Sequence, residues 1–140
     1  MLVASFPRLP YFGIMAHILL VEDDLDLREM LKGILVDTGH HVVDVSDGQA
    51  ALDAIRTHQP DLIVSDIVMD GMEGIAAIIE FRKLLPETPV IAISGNELYL
   101  KNSEKLGAHM TLLKPFTRSV FLSEIDALLG ASALQLSTAS

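Results

Sequence analysis

Cysteine is absent from the 140 residues. A disulfide scaffold and a thiolate metal site are therefore excluded, and the chain suits a reducing compartment, so a cytoplasmic location is expected. Basic residues are scarce. Ten Lys and Arg stand against 19 Asp and Glu, a formal net charge of −9. With no basic stripe, the chain is not built to bind nucleic acid by neutralising phosphates. It can still bind a cation or a basic partner. No apolar run reaches the roughly 20 residues of a membrane-spanning helix. There is no internal repeat and no linker between Met15 and Gly130.

What is present is a core. Half of the residues are hydrophobic, which argues for a globular fold rather than a solvated chain, and the length suits one domain. Residues 1–14, MLVASFPRLPYFGI, are apolar but interrupted by Pro7 and Pro10. That pattern disfavours a signal peptide. It is expected to be a disordered leader, or to reflect a start placed upstream of Met15. Residues 15–130 are expected to be the folded domain and 131–140 a flexible tail.

From Met15 onward short apolar runs alternate with helical patterns. The strands are HILLV (17–21), a valine-rich run (42–45), LIVS (62–65), residues 90–93 and residues 110–113. The intervening helices are expected over about 24–37, 47–58, 74–85, 97–106 and 117–129, with Asp47 as a cap and Gly39 and Gly107 as stops. Five strands alternating with five helices predict an α/β fold, a doubly wound parallel sheet covered on both faces. Right-handed crossovers leave the flavodoxin-like (βα)5 order 2-1-3-4-5 as the expected topology.

In such sheets ligands bind beyond the carboxyl ends of the strands. The first strand runs into Glu22, Asp23 and Asp24, the third into Asp66, the fourth into Ser94 and the fifth into Lys114-Pro115. Carboxylates about 4 Å apart repel by roughly 4 kcal/mol per pair at an effective dielectric near 20. Lys114 can offset one charge, and a divalent cation with hard oxygen ligands, Mg²⁺, can offset more. A carboxylate nucleophile, a metal, an ammonium and a hydroxyl are together what phosphoryl transfer requires. Each piece alone is ordinary: acidic pairs start helices, and Asp or Ser-Gly after a strand marks a turn. Their co-occurrence in this chain order carries the reading.

The motifs HILLVEDD, DLIVSDIVMDGMEG, IAISG and LLKPF resemble those of the receiver domain of two-component response regulators, over residues 17–130. The resemblance implies that Asp66 is the phosphoacceptor and that Asp23 is a direct Mg²⁺ ligand. Glu22 is implied to act more through water, and Val68 to add its main-chain carbonyl to the metal. It further implies that Ser94 and Lys114 bind the phosphoryl group and that the Lys114-Pro115 bond is cis. The activity implied is acceptance of a phosphoryl group from a sensor histidine kinase or phosphotransfer protein. Output would follow by contact with an unknown downstream protein through the fourth helix, fifth strand and fifth helix, a face that can also pair two phosphorylated copies. Neither nucleic acid nor membrane is an expected partner, and no catalysis is expected beyond the domain's own phosphoryl transfer and dephosphorylation.

Three departures from the family pattern stand out. Thr111 replaces the usual aromatic residue, which puts the usual readout in doubt. Asp70 replaces a usual proline. Val68 and Asn96 occupy positions that tune dephosphorylation, and because Val68 cannot orient water a long phosphoryl lifetime is expected. Nothing after Leu129 is expected to form an output domain, so the chain reads as a stand-alone receiver or as one cut from a longer regulator. An aspartyl phosphatase would carry its nucleophile after the first strand, with a second Asp two residues on, where this chain has Val68. A flavin or nucleotide module is opposed by the carboxylates of EDDLD, which repel phosphate. A receiver that no longer accepts phosphate is opposed by the complete set of site residues. His40 and His41 read as a loop pair rather than a metal site, His109 as a strand start, and Met69 and Met72 as packing residues. Leu98 and Leu100 are expected to be partly exposed.

Overall fold

The computed structural model describes residues 15–67 and 72–139. Five strands and five helices alternate: β1 His17–Val21, α1 Leu25–Asp37, β2 His41–Val45, α2 Gly48–Thr57, β3 Leu62–Asp66, α3 Met72–Leu84, β4 Val90–Ser94, α4 Glu97–Lys105, β5 Met110–Leu113 and α5 Arg118–Ala139. All strand pairs are parallel, in the order β2-β1-β3-β4-β5. This is the topology expected from the alternation of elements.

The alternation within each strand divides the apolar residues between two layers. Ile18 and Leu20 of β1, with Val64, Ile91 and Ile93, pack against Leu31 and Leu35 of α1 and Phe121 and Ile125 of α5. Leu19 and Val21, with Ile63 and Ala92, pack against Ala51 of α2, Ile78 and Phe81 of α3, and Leu100 of α4. Leu100 is thus buried, contrary to the sequence expectation, while its neighbour Leu98 is exposed. Two residues apart on a short helix, the two side chains face opposite ways.

Side chains set the helix starts. The carboxylate of Asp24 accepts the Leu27 amide at 3.1 Å, that of Asp47 accepts the Ala50 amide at 2.8 Å, and the Asn96 side-chain carbonyl accepts the Leu98 and Tyr99 amides. Asn96 therefore caps α4 with its side-chain oxygen. The far edge of the sheet is closed by two imidazoles. His40 Nδ1 accepts the Ala16 amide at 3.1 Å, and His109 Nδ1 accepts the Val90 amide at 3.0 Å. His41 opens β2 and stacks on His17 with ring centroids 5.0 Å apart. At Gly107 the backbone adopts φ +121°, and an added Cβ would lie 2.5 Å from Cγ of Arg82. No other residue type fits this turn into β5.

One boundary differs from expectation. Residues 131–140 read as a flexible tail, yet α5 continues through Ala139. The stretch from Ala131 to Ala139 contains neither Gly nor Pro and is rich in the helix formers Ala, Leu and Gln, so nothing after Gly130 ends the helix. The leader, residues 1–14, lies outside the described residues, as do Val68, Met69 and Asp70. The packing expected of the Met72 side chain is likewise outside what is described.

Candidate functional site

The strand order brings four segments to one rim. Glu22 and Asp23 follow β1, Asp66 ends β3, Ser94 ends β4 and Lys114 follows β5. Register fixes their heights: Val21 pairs with Ser65, Asp66 with Ile93, and Ser94 with Leu113. Main-chain bonds carry the pattern past the strand ends. The Glu22 amide donates to Val45, the Ile67 amide to Ile93 and the Lys114 amide to Ser94, at 2.8–3.0 Å. The Lys114-Pro115 peptide is cis.

Side chains from three of the four segments meet. Lys114 Nζ lies 2.9 Å from Asp66 Oδ1 and 3.1 Å from Glu22 Oε1, a contact between residues 92 apart in sequence. One carboxylate oxygen from each of Glu22, Asp23 and Asp66 lies within 4.8 Å of the others, the one such group found among the described residues. Glu22 is 1% exposed, whereas Asp23 is open to solvent. The second oxygen of Glu22 accepts the Asp24 amide at 3.2 Å, so both its oxygens have protein partners. Ser94 is buried, and its Oγ accepts the Asn96 amide at 3.0 Å, which leaves its hydroxyl proton to donate. Val68, the fourth ligand implied by the resemblance, lies among the residues not described.

The electrostatics show a deficit of positive charge. Burial, then the charge of Asp66, pushes the Glu22 carboxyl up to about 7 against the pull of Lys114. Asp66 is also raised above its ordinary value, by burial first and by Asp23 in addition, despite its bond to Lys114. Lys114 is raised as well: its two carboxylate partners outweigh the burial of its ammonium. Lys114 alone therefore does not keep Asp66 at ordinary acidity. Three carboxylates against one ammonium leave two negative charges when all are ionised, which suits a divalent cation. Hard oxygen donors with one open, solvent-facing carboxylate are the set that Mg²⁺ prefers.

A cavity of about 120 Å³ opens beside these groups, lined by Asp23, Ser65 and Asp66 and by Ser46, Asp47 and Gly48 from the junction of β2 and α2. The sequence reading missed the residues behind the rim. Arg28 of α1 reaches back to the Glu22 carbonyl at 2.9 Å and pairs with Asp44 of β2 at 3.2 Å. Lys32 pairs with the other Asp44 oxygen at 2.9 Å. A signal was available: Arg28 and Lys32 stand one helical turn apart on the helix that leaves the acidic loop.

Comparison with known proteins gives a consistent result. The profile of the response regulator receiver domain matches residues 18–126. Chemotaxis protein CheY of Bacillus subtilis is 34% identical over 116 residues, covering 80% of this chain and 97% of that protein. Among solved structures, NtrX from Brucella abortus superposes with a TM-score of 0.84 at 33% identity, over 90% of this chain and 30% of that one. The signal receiver domain of a signal transduction histidine kinase from Syntrophus aciditrophicus gives a TM-score of 0.75 at 32% identity, over 83% of this chain and 91% of that one.

Proposed function

The chain belongs to the response regulator receiver domain family, and on that premise we propose that Asp66 is its phosphoacceptor, supported by Lys114, Ser94, Asp23 and Glu22. The observation that carries the reading is the convergence of Lys114 on Asp66 and Glu22 from the far side of the sheet. A lysine held between two carboxylates at the end of a core strand, beside an open cavity, has more to do than stabilise a turn.

The chemistry follows from the positions. An oxygen of the Asp66 carboxylate attacks the phosphorus of a phosphohistidine. The O–P bond forms as the P–N bond breaks, and the leaving imidazole takes its proton from solvent. Lys114 keeps the attacking group oriented and offsets the charge that arrives with the phosphoryl oxygens. The Ser94 hydroxyl, its oxygen anchored by the Asn96 amide, is able to donate to one of those oxygens. Asp23, Asp66 and, through water, Glu22 would hold Mg²⁺, with the carbonyl of Val68 as a further ligand. The two protein partners already on the Glu22 oxygens favour its outer role. When bound, Mg²⁺ screens the carboxylates and draws charge from the phosphoryl oxygens.

The donor would be a histidine kinase or a phosphotransfer protein, and the output a protein contact with a downstream partner. Among the described residues no helix is long and apolar enough to cross a membrane. Thr111 lies half-buried on β5, paired with Ala92 of β4. A side chain of that size cannot swing as a ring does, so phosphorylation would be reported by movement of the α4 and β5 backbone rather than by an aromatic rotamer. The test is incubation with acetyl phosphate and Mg²⁺ followed by intact mass measurement. One phosphoryl group is expected on the wild-type chain and none on Asp66→Asn. An unmodified wild-type chain at every Mg²⁺ concentration would remove the proposal.

A further inference from the structure

We propose that Arg28 is a positioning residue for the rim: locked against Asp44, its guanidinium fixes the Glu22–Asp23 peptide and so sets both carboxylates toward a divalent cation. This rests on the reading of the rim as a metal-assisted phosphoacceptor site. The geometry points to it through a single peptide plane. The carbonyl of Glu22 belongs to the planar unit that also contains the Asp23 nitrogen. Arg28 Nη1 donates to that carbonyl at 2.9 Å. The Glu22 amide, on the preceding peptide, donates to the Val45 carbonyl at 3.0 Å. Both main-chain polar groups of Glu22 are thus tied to the β2 side, one directly and one through Arg28 and Asp44.

The fork is held in turn. Arg28 Nε donates to Asp44 Oδ2 at 3.2 Å, while Asp44 Oδ1 takes Lys32 at 2.9 Å. The Asp44 carboxyl is lowered from its ordinary value: its partial burial acts to raise it, and Lys32 and then Arg28 outweigh that. It is therefore a fixed anion against which the guanidinium aligns. Only a planar fork can meet a carboxylate and a carbonyl together in one orientation; an ammonium meets them as a point charge. No sequence neighbour of Arg28 repeats the arrangement, since Leu27 and Glu29 flank it.

The proposal has a sign that simple electrostatics does not share. A cation beside an acidic loop repels a divalent metal, so removing it by charge alone would tighten Mg²⁺ binding. Loss of a positioning group loosens it. Residues that orient metal ligands commonly matter by about 10–100-fold in metal affinity. Mg²⁺ is titrated calorimetrically into the full chain, as wild type, Arg28→Ala, Arg28→Lys and Asp44→Ala, with melting curves recorded in chelator. Both Arg28 variants are expected to bind Mg²⁺ about tenfold more weakly while still melting cooperatively, and Asp44→Ala to weaken it in the same direction. Unchanged or tighter binding in Arg28→Ala, or full restoration by Arg28→Lys, would overturn the proposal. Should Arg28→Ala fail to fold, Arg28→Lys and Asp44→Asn carry the same comparison. Wild-type chain that takes up no Mg²⁺ overturns the reading of the rim and this proposal together; wild-type binding with unaltered variants overturns this proposal alone.

Discussion

Glu22 gives the sharpest quantitative consequence of the rim. Its carboxyl is almost fully buried and pushed up from 4.5 to about 7, chiefly by burial and then by Asp66. The folded chain therefore holds this proton more tightly than the unfolded chain does. Between pH 4.5 and 7 the native state binds more protons, so stability falls as pH rises across that window. Each unit of pH in the middle of the window costs about 1.4 kcal/mol. The Glu22 part of the stability should drop by about 2–3 kcal/mol between pH 5 and pH 8. The raised value of Asp66 acts in the same direction. The assay is urea unfolding in chelator at several pH values, for wild type and Glu22→Gln. The quantity of interest is the difference between the two chains, which cancels the titration of groups that Glu22 does not touch and keeps that of Glu22 together with its coupled neighbours Asp66 and Lys114. That difference should move toward the variant by about 2–3 kcal/mol as pH rises from 5 to 8. A difference that stays constant, or that favours wild type at high pH, would refute the reasoning. Mg²⁺ should then raise stability more at pH 8 than at pH 5, because protons compete for the same oxygens.

Other outcomes follow from single features. His109 is held below its ordinary 6.5 by burial and by Arg82; a neutral ring is favoured in the fold, so its contribution is present above 6.5 and lost as pH falls through the lower native value. An NMR titration should place its midpoint under 6.5, and a midpoint above that value would contradict the bond it accepts from Val90. Gly107→Ala should destabilise by about 2 kcal/mol or more in chemical denaturation, since φ is +121° and Arg82 fills the space a Cβ would need. Gly33→Ala, in α1 with open space around it, should stabilise by roughly 0.5–1 kcal/mol, and a loss there would be unexplained. Val68→Asn should shorten the life of the phosphorylated chain, measured as decay of the labelled protein, and an unchanged rate would count against a role for that position in admitting water.

Much of the fold was legible because the period of the apolar residues is strict. Ile18 and Leu20 serve one layer, and Leu19 and Val21 the other, as a parallel strand buried on both faces demands. Asp24, Asp47 and Asn96 are capping residue types placed at helix starts, and the structure uses each so. The rim was legible for a topological reason: once the strand order is set, the residue after each strand has only one place to go, and Lys114 reaches Asp66 for that reason. What could not be read was energetic or relational. Burial raises Glu22 and Asp66 despite Lys114, a balance that depends on solvent exclusion rather than on residue type. Arg28 was passed over because its partner Asp44 is brought to it only by the β1–β2 pairing, although its spacing from Lys32 was there to read. The length of α5 was underestimated because residues 131–140 show no core pattern, yet Gly130 does not interrupt the helix, since a glycine ends one only where the chain also takes up a left-handed turn. Among the described glycines, Gly39 and Gly107 have positive φ and Gly130 does not.

The account turns on where the phosphoryl group resides. The most direct measurement is residue-level mapping after transfer from a histidine-phosphorylated donor protein, with borohydride reduction to mark the acyl phosphate and fragmentation of the resulting peptides. The mark should fall on Asp66, at the end of β3, and should vanish when Lys114 is replaced or Mg²⁺ is withdrawn. A mark on Asp23 or Asp70, or efficient transfer to a chain carrying Asp66→Asn, would contradict it.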